Sequence, residues 1–119
     1  MKAVTRRTLS ATSLMSDKVK NPEGDDLGTI KDLMIDLESG QIAYAVLSFG
    51  GFLGMGNKLF AIPWRALSVR TEDHSLRLDA TEEQLKNAEG FDPSEWPDMA
   101  DQSWGQRQHD YYGVTPYWQ

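Results

Sequence analysis

The chain has 119 residues, with 18 Asp and Glu against 12 Lys and Arg, two His and no Cys, for a formal charge of -6. That length makes one domain with one core, and the absence of cysteine excludes disulfides, thiol nucleophiles, iron-sulfur clusters and Cys-based zinc sites. The acidic balance argues against direct nucleic-acid binding, which needs clustered Lys and Arg to displace counterions from phosphates.

Residues 1–8 form a polar lead-in carrying Lys2, Arg6 and Arg7. The first 16 residues hold basic and hydroxyl side chains and no acid, which is the composition of a transit peptide. No amphipathic apolar face develops there, so the stretch is read as the approach to a first strand near residues 8–12. The longest unbroken apolar run, residues 42–47, falls far short of the roughly 20 residues that cross a bilayer. A soluble cytoplasmic protein without membrane insertion is expected.

Turn chemistry then divides the chain at hairpin-like intervals. Asn21-Pro22-Glu23-Gly24-Asp25, Glu38-Ser39-Gly40 and Glu72-Asp73-His74-Ser75 are the turns. Between them lie 27–37, 42–49, 59–62, 67–70 and 76–78, each short enough to be a strand. Residues 27–37 fit two templates: Ile30, Leu33, Met34 and Leu37 follow helical spacing, while Leu33, Ile35 and Leu37 alternate. Gly28 is poor helix material and turns close both ends, so the segment is predicted to be a long strand kinked near Gly28. Residues 42–49 are apolar on both faces, which suits a strand buried in a closed barrel.

After residue 80 the pattern changes. Thr81-Glu82-Glu83-Gln84 is a capping box that predicts one short helix over 82–89, with Gly90 placed to end it. Asp92-Pro93-Ser94-Glu95 offers one further turn of helix, which Pro97 stops.

Candidate chemistry is sparse. The run Gly50-Gly51-Phe52-Leu53-Gly54-Met55-Gly56 invites a phosphate-loop reading, but a strand and Pro63 follow it where such a loop must open a helix. It reads instead as a glycine loop whose Phe52, Leu53 and Met55 either fold back over the barrel end or meet a partner. His74 and His109 lack metal-ligand spacing, and Asp25, Asp26, Asp32 and Asp36 read as turn or solvated-face acids. No nucleophile elbow surrounds any Ser. The expectation is a non-enzyme with no catalytic residues, no cofactor and no metal.

The stretches 21–36, 40–54 (Gly-Gln-Ile-Ala-Tyr-Ala-Val-Leu-Ser-Phe-Gly-Gly-Phe-Leu-Gly) and Phe60-Ala61-Ile62-Pro63-Trp64 resemble a PRC-barrel domain. This is the module named for the cytoplasmic part of the photosynthetic reaction centre H subunit, and a related domain forms the C-terminal half of a ribosome-maturation factor. The resemblance covers roughly residues 9–80 and implies a small, mostly antiparallel β-barrel that docks other proteins. It carries over no catalytic residue. The reaction-centre subunit has a membrane helix and the ribosome factor an N-terminal domain, neither of which is seen here, so neither specific function transfers. The domain plan is then lead-in 1–8, barrel 9–80, short helix 81–90 and tail 91–119.

That tail holds seven of the twelve aromatic residues. Its Trp96-Pro97-Asp98 and its ending over 111–118 resemble those of free-standing bacterial family members. Gly105, Gly113, Pro97 and Pro116 are expected to interrupt any long helix in it. Each buried Trp or Tyr removes on the order of 150 to 250 Å² from water, so such a segment should dock rather than stay disordered. It is expected to pack on the barrel or to clasp a second subunit. The functional expectation is a non-catalytic adaptor, a homodimer with an unidentified protein partner, contacted through Phe52, Leu53, Met55, Trp104, Tyr111, Tyr112, Tyr117 and Trp118. The alternatives are a small-ligand-binding barrel and a ribosome or RNA-processing adaptor.

Overall fold

The computed structural model describes residues 8–15, 17–49 and 58–119. Short apolar runs bounded by turn residues make strands, and six of them join in one sheet: β1 (Lys18–Lys20), β2 (Asp26–Ile35), β3 (Ile42–Phe49), β4 (Lys58–Pro63), β5 (Leu67–Arg70) and β6 (Ser75–Leu78). The order across it is β4-β3-β2-β1-β6-β5, with β1 parallel to β6 and the other neighbours antiparallel. The fold is therefore mainly β and mostly antiparallel, as the sequence leads one to expect.

The ambiguous segment is strand, and its helical spacing has a structural cause. Ile30 sits opposite Leu47, but the next pair is Asp32 with Val46, so Lys31 is an extra residue that resets the alternation. Leu33 thereby returns to the same core face as Ile30, three residues on. The β1-β2 ladder shifts register beside Gly28, whose φ is +128° and where an added Cβ would stand 2.1 Å from the Ser48 carbonyl oxygen. Only glycine lets β2 pass this close to the β3 main chain.

One face of the sheet carries the main core. Val19, Leu27, Ile30, Ala45, Leu47, Phe60, Ile62, Leu76 and Leu78 pack there, joined by Leu85 and Ala88. Ala45 with Ile62 and Leu47 with Phe60 are opposed pairs of β3 and β4 on this face. Their neighbours Tyr44, Val46 and Ala61 point to the opposite face and are buried as well. The double burial expected of β3 is present, and its second cover is the C-terminal region.

Elsewhere the structure revises the expectations. Residues 8–12 do not form a strand. Ser10 accepts from the amides of Ser13 and Leu14 and starts a short helix α1 (Ala11–Met15) anchored by buried Leu14, so the first strand is β1. The capping box is present: the Gln84 amide donates to Thr81 Oγ1 at 3.0 Å and Gln84 Oε1 accepts from the Thr81 amide at 2.8 Å. The helix it opens, α2 (Glu82–Lys86), ends at Asn87 before reaching Gly90. Gly90 serves another purpose, because a Cβ there would lie 2.7 Å from the Leu59 carbonyl oxygen. The chain comes that close so that Phe91 and Leu59 can exchange backbone hydrogen bonds of 2.8 and 3.0 Å along the β4 edge. Residues 92–95 form a turn closed on the Asp92 carboxylate rather than a turn of helix.

The largest revision is in the tail, which contains the longest helix, α3 (Gln102–Tyr112). Asp101 caps its start by accepting from the Ser103 amide at 2.9 Å, and Gly113 ends it at φ 73°. The glycine expected to interrupt helix, Gly105, lies inside it.

Candidate protein-docking site

Helix α3 turns one stripe toward the sheet: Trp104, Gly105, Gln108 and His109 are buried, and Tyr112 is half-buried. This stripe follows helical spacing, but two of its members are polar and one is glycine, so it carries little hydrophobic signal. The closeness of the contact explains the glycine. A Cβ at Gly105 would be 2.8 Å from the Tyr44 hydroxyl and 2.9 Å from the Trp118 ring. Trp104 packs edge-on to Tyr44 at 5.2 Å between ring centroids, and Ala43, Ala61, Met34, Phe91, Met99 and Tyr117 complete this second cluster.

Polar ties hold the region down. Arg65, on the turn after β4, donates to the carbonyl oxygens of Thr115, Pro116 and Tyr117 at 3.2, 2.9 and 3.4 Å. Arg107 grips Glu89 through two contacts of 3.2 Å, linking α3 to the segment that follows α2. Arg107 above all, with Gln108 and Trp104, holds the Glu89 carboxyl below its ordinary pKa. The Tyr117 hydroxyl donates to Asp36 Oδ2 at 2.8 Å, joining the tail to the β2-β3 turn. That bond is the main reason Asp36 titrates below the usual carboxylate range, with the Ser39 and Glu38 amides adding to it. Burial, then Asp36, pushes the Tyr117 phenol up to about 12.

His109 is fully buried among aromatic rings, 5.5 Å from Tyr44, 6.0 Å from Tyr117 and 5.3 Å from Trp118. Its Nδ1 is 2.8 Å from the Gly105 carbonyl oxygen, which can only accept, so Nδ1 carries the proton. Nε2 has no partner among the described residues. Burial lowers the pKa of the ring, and nearby Arg65 adds to this, against the Gly105 carbonyl and Asp110. His109 is thus a neutral packing residue.

Between the β2-β3 turn and the start of α3 lies a cleft of about 480 Å³. Tyr44, Ala43 and Met34 come to it from the sheet, Met99 and Asp101 from the approach to α3, and Tyr117 and Trp118 from the tail. Its lip is the segment Ile35-Asp36-Leu37-Glu38. Leu37 is 93% exposed and Ile35 55%, the largest apolar exposures among the described residues. Asp36, Glu38 and Asp101 face the cleft, and no Lys or Arg does among the described residues.

Of the interaction residues expected from sequence, Phe52, Leu53 and Met55 lie outside the described residues. Trp104 is inside the second cluster. Tyr111 is exposed but spends its hydroxyl on the Gln84 carbonyl, and Tyr112 packs against the main core. Tyr117 and Trp118 combine docking of the tail with lining of the cleft. The tail aromatics therefore serve chiefly to fasten the tail to its own sheet. Sequence reasoning missed the lip, although an apolar residue beside a turn, Leu37 before Glu38-Ser39-Gly40, was its visible signal. Among the described residues, no three His, Asp or Glu side chains converge to hold a metal, and no helix is long and apolar enough to cross a membrane.

No curated protein matches the sequence. Among solved structures, one described as a 16S ribosomal RNA processing protein, RimM, from Pseudomonas aeruginosa is similar at 18% identity with a TM-score of 0.43. The match covers 63% of this chain and 45% of that one, so this chain spans less than half of its length. The family comparison reaches further, because the PRC-barrel domain pattern matches residues 7–85, two thirds of the sequence and every strand of the sheet. The chain belongs to the PRC-barrel domain family.

Proposed function

We propose that this PRC-barrel protein is a non-catalytic docking module of the cytoplasm, working as a homodimer and recognising a protein partner. The observation that carries this reading is the lip Ile35-Asp36-Leu37-Glu38, where the most exposed apolar side chains among the described residues stand beside a cleft. Full exposure of a leucine leaves on the order of 1.5 to 3 kcal/mol of transfer free energy unused, which a partner surface would recover. The test is a benzophenone amino acid placed at position 37 and irradiated in the native host. Discrete adducts with another protein are expected. Absence of any adduct there, with none from position 35, would reject the reading.

Family membership supports a second reading, an adaptor in ribosome maturation, since a related domain forms part of a factor with that role. The charge of -6 directs such an adaptor to proteins rather than to RNA. Sedimentation separates the two: an adaptor of this kind travels with ribosomal particles at low salt, and a general docking module does not.

A further inference from the structure

The chemistry of the cleft specifies its occupant. We infer that it takes a short basic amphipathic segment of a partner protein, apolar side chains against Ile35, Leu37 and Trp118 and a Lys or Arg at the carboxylates of the lip. This inference rests on the docking reading above and names the partner's chemistry. The apolar half of the argument is that Leu37 and Ile35 are exposed at the mouth of a volume large enough for two or three side chains. The charged half is complementarity. Among the described residues, Asp36, Glu38 and Asp101 are the charged side chains that line the cleft, and all three are acidic.

Two of these carboxylates are fixed in place. Asp36 accepts from the Glu38 and Ser39 amides and from Tyr117, and Asp101 accepts from Ser103, so both are held in position at the solvent-facing rim. Those bonds hold both carboxyls below the usual carboxylate range. Glu38 differs, because its side chain accepts no hydrogen bond among the described residues while its charge is felt at the Tyr117 phenol. It is the carboxylate available to an incoming cation. A neutral apolar segment would leave this acidic rim unmatched, and an acidic one would be repelled by it.

The experiment is phage display of random twelve-residue peptides on the immobilised full chain. The bound pool should be enriched at least twofold in Lys and Arg flanked by Leu, Ile or Met. A peptide chosen from that pool should lose at least tenfold in affinity with Leu37→Ser or Glu38→Lys, and should weaken as salt rises. Both positions are exposed, so the variants should melt with the parent protein. Glu72→Lys makes the same charge change on the β5-β6 turn and should leave binding intact. An unenriched pool, a pool rich in acidic or uncharged sequences, or equal binding by Leu37→Ser and Glu38→Lys would overturn the inference. If that happens while position 37 or 35 still crosslinks to a protein, the docking reading stands and only the partner's chemistry is wrong.

Discussion

Gly105 costs α3 about 1 kcal/mol of helix propensity relative to alanine in an isolated helix. In the folded chain the sign reverses, because the alanine methyl would press on the Tyr44 hydroxyl at 2.8 Å and the Trp118 ring at 2.9 Å. Gly105→Ala should therefore destabilise by about 1 to 3 kcal/mol, the usual range for overpacking, as read from the urea midpoint. His109 makes a second prediction. Its pKa is depressed in the fold, so the unfolded chain binds the proton more readily and stability increases with pH across that interval. The contribution is complete above the ordinary value of about 6.5 and is lost as pH falls from there through the depressed folded pKa. Melting temperatures measured from about pH 5 to pH 7.5 should show this loss in the parent protein and a flatter profile in His109→Gln. An equal slope in both would mean that the ring does not sense the titration.

Elements explain which of these details were readable in advance. β2 satisfied the helical template because the bulge at Lys31 places Ile30 and Leu33 on one face, and turn chemistry at both ends identified the strand correctly. The capping box at Thr81 was legible because it is a contact between residues three apart. Helix α3 was not, since its buried stripe includes Gln108, His109 and Gly105, whose placement inside depends on the aromatic floor of Tyr44 beneath them. Arg65 is one of the ties that hold the tail beyond α3. Replacing it in Arg65→Ala removes three carbonyl contacts, and we expect a cost of about 1 kcal/mol. Amide exchange of residues 115–119 should quicken, with exchange in β3 and β4 little changed.

For the whole molecule, the tail covers the outer face of β3 and β4 within one chain. Truncation after Asp101 removes Trp104 and uncovers Tyr44 and Ala61, so stability should fall by about 3 kcal/mol or more. Far-UV and thermal measurements would check this, and an unchanged melting temperature would show that the tail contributes nothing. Light scattering of the full chain should give the mass of two copies if the proposed homodimer forms, and the truncated chain should give that of one if the tail also clasps its neighbour.

Sequence alone placed the first strand at residues 8–12 and overlooked β1, which is too short to show alternation, but it determined five of the six described strands, the turns, the glycine demanded at position 28, the capping box and the family. All of these rest on local alternation, on backbone demands of single residues or on motifs in fixed order. The tertiary structure alone decided that the tail is helical, that its aromatics fasten it to its own sheet, and that a cleft opens beside Leu37. Those outcomes depend on which faces meet across long stretches of chain, as in the Arg65 to Thr115 bond with a separation of 50 and the Tyr117 to Asp36 bond with a separation of 81. Neighbour patterns hold no record of such meetings, because the same polar or glycine residue is solvent-facing or buried according to what the distant segment brings against it.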